Sequence, residues 1–129
     1  MIKTGIKGKC SVLVTEKNTA EAVGSGGLPV FATPELIALA EKTAFESLLP
    51  YLEAGEGSVG TLVDIRHLAP TPIGMTVECE SELVEVDGRR LVFTVTVRDE
   101  KETVGTGKHE RFIIKNDKFL AKAAAKKAQ

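Results

Sequence analysis

Between Glu35 and Leu49 apolar residues recur at helical spacing. Leu36, Ile37, Ala40, Ala44, Phe45 and Leu48 form one broad stripe. Thr33-Pro34 predicts the start: a threonine hydroxyl can cap a first-turn N–H, and proline at the first helical position gives up an N–H that has no partner there. Pro50 predicts the stop, because it cannot continue the helix and disfavours helical backbone at Leu49. Glu41 falls inside the apolar stripe, whereas Glu35, Lys42 and Glu46 fall opposite it. An ionised carboxylate on a core-facing stripe is costly unless something pairs with it, so Glu41 is a candidate for chemistry.

The remaining pattern has a period of two. Lys9 to Thr15 reads as a first strand, and Glu16 to Leu28 as a polar, then glycine-rich passage ending in Gly24-Ser25-Gly26-Gly27, either a flexible gate beside the helix start or a plain connecting loop. After a turn at Tyr51 to Gly57, Val59, Thr61, Val63 and Ile65 alternate with polar or small residues and predict a second strand with one buried face. The third strand, Thr76 to Val86, turns Val77, Cys79 and Leu83 inward, and its broken alternation near Val84-Glu85-Val86 predicts a bulge. Asp87-Gly88 signals a hairpin into Arg89 to Asp99, with Leu91, Phe93, Val95 and Val97 on one face. Glu102 to Lys115 is the last strand, and Asn116 to Gln129 reads as a solvated helical tail with Lys118, Lys122 and Lys126 four apart. The order is β-α-β-β-β-β, an α+β arrangement in which the last four strands read as a meander and an antiparallel sheet curves around one central helix. Open sheet edges and an outer face in need of cover predict a homodimer.

Length and composition narrow the function. The 129 residues suit a single domain, here 1–129, with 116–129 as its tail. A formal net charge of -1 argues against a nucleic-acid partner, and the absence of tryptophan weakens a base-stacking role. No apolar run approaches the ~20 residues that cross a bilayer, and Met1-Ile2-Lys3-Thr4-Gly5 lacks the apolar core of a signal peptide, so a cytoplasmic protein without a membrane partner is expected. Cys10 and Cys79 lack metal-ligand spacing and read as small core residues. His67 and His109 have no clustered carboxylates or thiolates around them, so no metal is expected. The glycine run lacks the lysine and spacing of a phosphate loop, and no Gly-x-Ser-x-Gly elbow is present.

The chemistry-bearing residues then fall into one group. His67 continues the Val59-Thr61-Val63-Ile65 face, and Glu41 lies on the helix stripe that packs against such a face. Two titratable groups on opposed faces of one core make a candidate acid–base pair. Thr33 adds a hydroxyl at the helix mouth, with helix capping as its plainer role. Gly60, inside a strand, either leaves room for a ligand or marks a simple bend.

These segments resemble a known family. Val30-Phe31-Ala32-Thr33, Pro50-Tyr51-Leu52-Glu53-Ala54-Gly55-Glu56-Gly57-Ser58-Val59-Gly60-Thr61, Asp87-Gly88-Arg89-Arg90-Leu91 and Gly105-Thr106-Gly107-Lys108-His109-Glu110-Arg111 are similar to hotdog-fold thioesterases of the fluoroacetyl-CoA type. With the spacing of Glu41 and His67, the resemblance runs from Val30 to Lys122. It implies a catalytic Thr33, Glu41 and His67, a backbone N–H at Gly60 that meets the thioester carbonyl, and Arg111 and Phe31 beside the substrate. It further implies an acyl-CoA thioester substrate, no cofactor beyond the CoA portion of that substrate, and a site at the interface of a homodimer. Fluoroacetyl-selective members close their site with a phenylalanine-bearing lid ahead of the threonine. Asn18 to Leu28 contains no phenylalanine, which implies a different acyl group. Hydration or dehydration of an acyl-CoA, non-catalytic acyl-CoA binding, and a purely structural pairing of Glu41 with His67 remain as alternatives on the same fold.

Overall fold

A computed structural model, described over residues 2–128, gives five strands and three α-helices in the order β1 (Lys7–Leu13), α1 (Ala20–Val23), α2 (Thr33–Leu48), β2 (Glu56–His67), β3 (Thr76–Asp87), β4 (Arg90–Arg98), β5 (Thr103–Lys115) and α3 (Asn116–Ala124). The strands form one antiparallel sheet in the order β1-β3-β4-β5-β2, which leaves β1 and β2 at its edges. All five strands curl around α2, the hotdog arrangement. Leu36, Leu39, Ala40, Ala44 and Leu48 of α2 are buried against Val77, Cys79, Leu83, Leu91, Phe93, Val95 and Val97 from β3 and β4. Each of the buried leucine, valine and phenylalanine side chains contributes about 1.5–3 kcal/mol by leaving water, and the alanines less.

Helix α2 departs from expectation at its start and along its stripe. Ala32, not Thr33, is the N-cap, and no side chain caps the helix. Thr33 and Pro34 occupy the first helical positions, so the Thr33 hydroxyl is released from capping. The buried stripe is centred on Leu36, Ala40 and Leu39-Thr43, rotated away from Ile37, Glu41 and Phe45. These three stand one helical turn apart on a flank that is only half covered. Glu41 therefore lies beside the core rather than in it, its side chain 43% exposed.

The second departure is in β2. Its register against β5 shifts between Gly60 and Leu62, which makes Thr61 a bulge residue. Before the bulge, Ser58 and Gly60 pair with Ile113 and Arg111; after it, Val63, Ile65 and His67 pair with His109, Gly107 and Gly105. Opposed residues share a face. The extra residue thus moves Ser58 and Gly60 to the side of the sheet that His67 occupies, and the expected buried run Val59-Thr61-Val63-Ile65 does not form. Gly60 to Asp64 are exposed, with Leu62 and Val63 each at 38%.

The expected four-strand meander does not form, because β2 pairs with β5 at the far edge and only β3, β4 and β5 are neighbours in succession. The later local features match expectation with small shifts. The bulge near Val84 is present between Leu83 and Glu85. The hairpin pairs Asp87 with Arg90, which places Gly88, at φ 61, and Arg89 in the turn. The glycine-rich passage carries an unexpected short helix, α1, capped by the Thr19 side chain and ended by Gly24 at φ 77. Its base is tied down: Asn18 accepts from the Thr15 N–H and donates to the Leu13 carbonyl, and Thr19 bridges to Phe31. Cys10 and Cys79 are free thiols that stand directly opposite each other across β1 and β3, and burial pushes the Cys79 thiol up to about 11. No helix among the described residues is long and apolar enough to cross a membrane, and no group of three or more His, Cys, Asp or Glu is placed there to hold a metal ion.

Candidate active site

Two polar constellations lie along the half-covered flank of α2. The first joins the helix start to the end of β2. Thr33 Oγ1 and His67 Nδ1 are 2.8 Å apart. Because Ala32 takes the cap position, nothing in the helix competes for that hydroxyl. An alcohol in hydrogen-bond reach of an imidazole is the arrangement of a nucleophile and its base. Burial lowers the His67 pKa from 6.5, with the Ala69 backbone acting in the opposite sense, so the ring is neutral and able to accept a proton near pH 7. Thr33 and His67 face an open hollow of about 300 Å³ whose other walls are Ala20 and Ser25 of the lid segment, Val30, Phe31 and Leu68 to Pro70. Phe31 itself is 2% exposed, so it serves as core and wall rather than as a mobile gate.

The second constellation is built around Arg111 on β5. Its guanidinium donates from Nε to Ser58 Oγ and from Nη2 to the Ser58 carbonyl, both at 2.9 Å, and from Nη1 to His109 Nε2 at 3.1 Å. Nη1 also lies 3.9 Å from Glu41 Oε2, and the group sits over the Phe45 ring, 5.6 Å from its centre. A buried cation is tolerable only when so many partners replace water. Gly60 completes this group. A Cβ added there would lie 2.7 Å from Glu41 Oε2 and 3.1 Å from His109 Cε1, so the missing side chain is what lets the carboxylate reach the β2 backbone.

The structure therefore brings Thr33 to His67, and Glu41 to Gly60 and Arg111, but it does not join the two sets within one chain. Among the described residues, no hydrogen bond or ion pair links Glu41 to His67. Thr33 and Glu41 are eight residues apart on α2, about 12 Å along the helix axis. Ser58 and His109 belong to the second set and are missed by the sequence reasoning. The signal for His109 was its place two residues before Arg111, which puts both on one face of a strand.

His67 and His109 share a consequence. Burial lowers both pKa values, so the unfolded chain binds protons at a pH where the folded chain does not. That difference stabilises nothing on the acid side: stability is full above about pH 6.5 and declines as pH falls through the folded-state values. The thermal midpoint is expected to drop between about pH 7.5 and pH 5, and to drop less in His67→Gln. Equal slopes in the two proteins would show that His67 is not held neutral by the fold.

The chain is similar to known proteins. A family model described as fluoroacetyl-CoA-specific thioesterase matches residues 14–117. The fluoroacetyl-CoA thioesterase of Streptantibioticus cattleyicolor is 44% identical over 97 residues, which span 75% of this chain and 70% of that protein. A crystal structure of the fluoroacetyl-CoA thioesterase FlK superposes with a TM-score of 0.91 at 35% identity, covering 100% of this chain and 99% of the other. A thioesterase-superfamily protein of Thermus thermophilus superposes with a TM-score of 0.91 at 29% identity, covering 98% and 94%. With the fold, the threonine–histidine pair and these matches in agreement, the chain belongs to the fluoroacetyl-CoA-specific thioesterase family, hotdog-fold hydrolases of acyl-CoA thioesters.

Proposed function

We propose that this protein hydrolyses an acyl-CoA thioester at a site shared between two copies of the chain, with Thr33 as nucleophile, His67 as its base, and Glu41, Gly60 and Arg111 supplied by the other subunit. The observation that carries the chemistry is the uncapped Thr33 hydroxyl 2.8 Å from His67 Nδ1. The edge strand supports the shared site. Its exposed central stretch, Gly60 to Asp64, presents unpaired backbone and the apolar Leu62 and Val63. With the Thr61 bulge taking up the odd residue, a two-fold axis through Asp64 pairs β2 antiparallel with its symmetry mate. It sets Gly60 beside His67 of the partner subunit and brings together constellations that one chain keeps apart.

In the reaction, Thr33 Oγ attacks the thioester carbonyl carbon and its proton passes to His67 Nδ1. The developing oxyanion is met by the backbone N–H at the partner subunit's Gly60. Collapse breaks the C–S bond, and the imidazolium returns its proton to the CoA thiolate. Water then attacks the acyl-threonine ester, again giving its proton to His67, and the free acid leaves with Thr33 restored. The carboxylate of the partner subunit's Glu41 favours the transient imidazolium. CoA is part of the substrate, and no cofactor takes part.

The acyl group differs from fluoroacetyl. The lid segment, Asn18 to Leu28, offers no aromatic side chain to close over a small halogenated group. A panel of acyl-CoAs assayed for free thiol tests the whole reading. Thiol release that is abolished in Thr33→Ala is expected, with fluoroacetyl-CoA favoured over acetyl-CoA by less than about tenfold. Acyl-group conversion without thiol release would assign a hydratase, and binding without turnover a carrier. A strong preference for fluoroacetyl-CoA would overturn the specificity assignment alone.

A further inference from the structure

His109 is the most deeply placed polar side chain near the site, at 0% exposure, and the mechanism above leaves it without a task. Its surroundings fix its protonation. A guanidinium only donates hydrogen bonds, so the 3.1 Å contact from Arg111 Nη1 requires His109 Nε2 to accept. The ring proton is then on Nδ1 and is donated to the Leu62 carbonyl at 2.8 Å. Leu62 is the residue immediately after the Thr61 bulge, and the Thr61 hydroxyl donates to the Glu110 carbonyl at 3.3 Å. The bulge is thus fastened to β5 by two side chains. One of them, His109, simultaneously holds the cation that faces Glu41.

We propose that His109, as a neutral imidazole, is a positioning residue that locks the Thr61 bulge to Arg111 and so sets Gly60 and Glu41 in their working geometry. The proposal rests on the reading that Gly60 and Glu41 serve thioester hydrolysis. Its geometric core is the contact of Gly60 with all three partners, Glu41 Oε2, His109 Cε1 and Arg111 Nη1, within 3.4 Å of where a Cβ would stand. A rigid ring that bonds the bulge on one side and the guanidinium on the other leaves neither free to move alone. Protonation breaks the lock, because an imidazolium has no acceptor for Arg111 and places a second positive charge against it. The charged groups facing the ring are Arg111 on β5 and Glu41 on α2, Glu110 acts through the sheet from the opposite face of β5, where it pairs with Arg90, and Phe93 of β4 is stacked alongside, 6.3 Å between ring centres. Burial and Arg111 oppose protonation, and the Leu62 bond, Glu41 and Glu110 favour it.

Two substitutions separate positioning from mere packing. His109→Leu fills the space and removes both hydrogen bonds; His109→Gln returns an acceptor toward Arg111. His109→Leu is expected to lower kcat about 30-fold or more with KM changed less than about threefold, and His109→Gln to recover most of that loss. The acid limb of kcat/KM in the wild type should be steeper than one proton, since His67 and His109 both have to be neutral, and should relax to one proton in His109→Gln. The amide resonance of Gly60 gives a readout independent of turnover: it should shift or broaden in His109→Leu and return toward its wild-type position in His109→Gln. A kcat within twofold of wild type in folded His109→Leu, or a Gly60 resonance indifferent to both substitutions, overturns the proposal. If no acyl-CoA is hydrolysed by the wild type while the Gly60 resonance responds as stated, the thioesterase reading fails and the positioning role stands.

Discussion

His67→Ala should lower kcat/KM for the preferred acyl-CoA by about 10²- to 10⁴-fold, the range spanned by removing a positioned general acid–base group. The Thr33 hydroxyl would lose its hydrogen-bonded base, at 2.8 Å, and the CoA thiolate its proton donor. Folding should be little affected, because His67 is only partly buried at the end of an edge strand. A sharper form of the experiment mixes His67→Ala with Glu41→Gln protein, each nearly inactive alone. In a mixed dimer, one site inherits both defects and the other inherits neither. Random reassociation makes half the dimers mixed, so activity should return to about a quarter of wild type. Complete absence of recovery, with mixed dimers verified by mass, would place Thr33, His67 and Glu41 of one chain in one site and overturn the shared arrangement.

Gly60→Ala should be nearly as damaging while leaving the fold intact. The new methyl would stand 2.7 Å from Glu41 Oε2, closer than such contacts occur, yet the atom it meets is the end of a flexible side chain. The carboxylate swings aside at small cost to stability, and Gly60 does not occupy a backbone conformation reserved for glycine. Catalysis has no such latitude. With the carboxylate displaced and the N–H at position 60 partly shielded, a loss of about 10²-fold in kcat is expected, comparable to removing one oxyanion donor. Steady-state kinetics and a thermal melt on the same sample decide it. A drop in melting temperature that accounts for the lost activity would mean that Gly60 serves packing and not the reaction.

Much of this protein was legible in its sequence. Helix α2, the succession of strands along the chain and the bulge near Val84 follow from spacing and punctuation, because each is set by residues within a few positions of one another, whereas the pairing of β2 with β5 across the sheet does not. Glu41 and His67 stood out for a related reason, because a polar group on an apolar pattern is a local anomaly, and Thr33 for its place at the helix mouth. What stayed hidden depends on contacts between distant segments. Nothing near Thr61 announces a bulge, since its fastening comes from His109 and Glu110 on another strand. Without that bulge, alternation places Gly60 on the wrong face. The separation of Thr33 and His67 from Glu41 was equally hidden, because a helical stripe gives angles around the axis and says nothing about which 12 Å of its length a ligand spans. Capping at Thr33 was a sound inference from composition, overturned by a shift of one residue that left Ala32 as cap.

The Thr61 bulge has one more consequence, for how this chain tolerates change in length. Side chains on a strand alternate like the parity of whole numbers, and the extra residue converts even to odd midway along β2. Ser58 and Gly60 are counted in one parity and His67 in the other, yet all face the same way. Deleting Thr61 itself would leave plain alternation from Ser58 to His67, with both still on one face and no bulge between them, whereas adding a single residue while the bulge stays would return the two halves to opposite phase and turn one of them outward. Changes of two residues would keep the phase and only lengthen the span. Length variation in this segment among functional descendants of the chain should therefore come in even steps, or as the loss of the bulge residue itself.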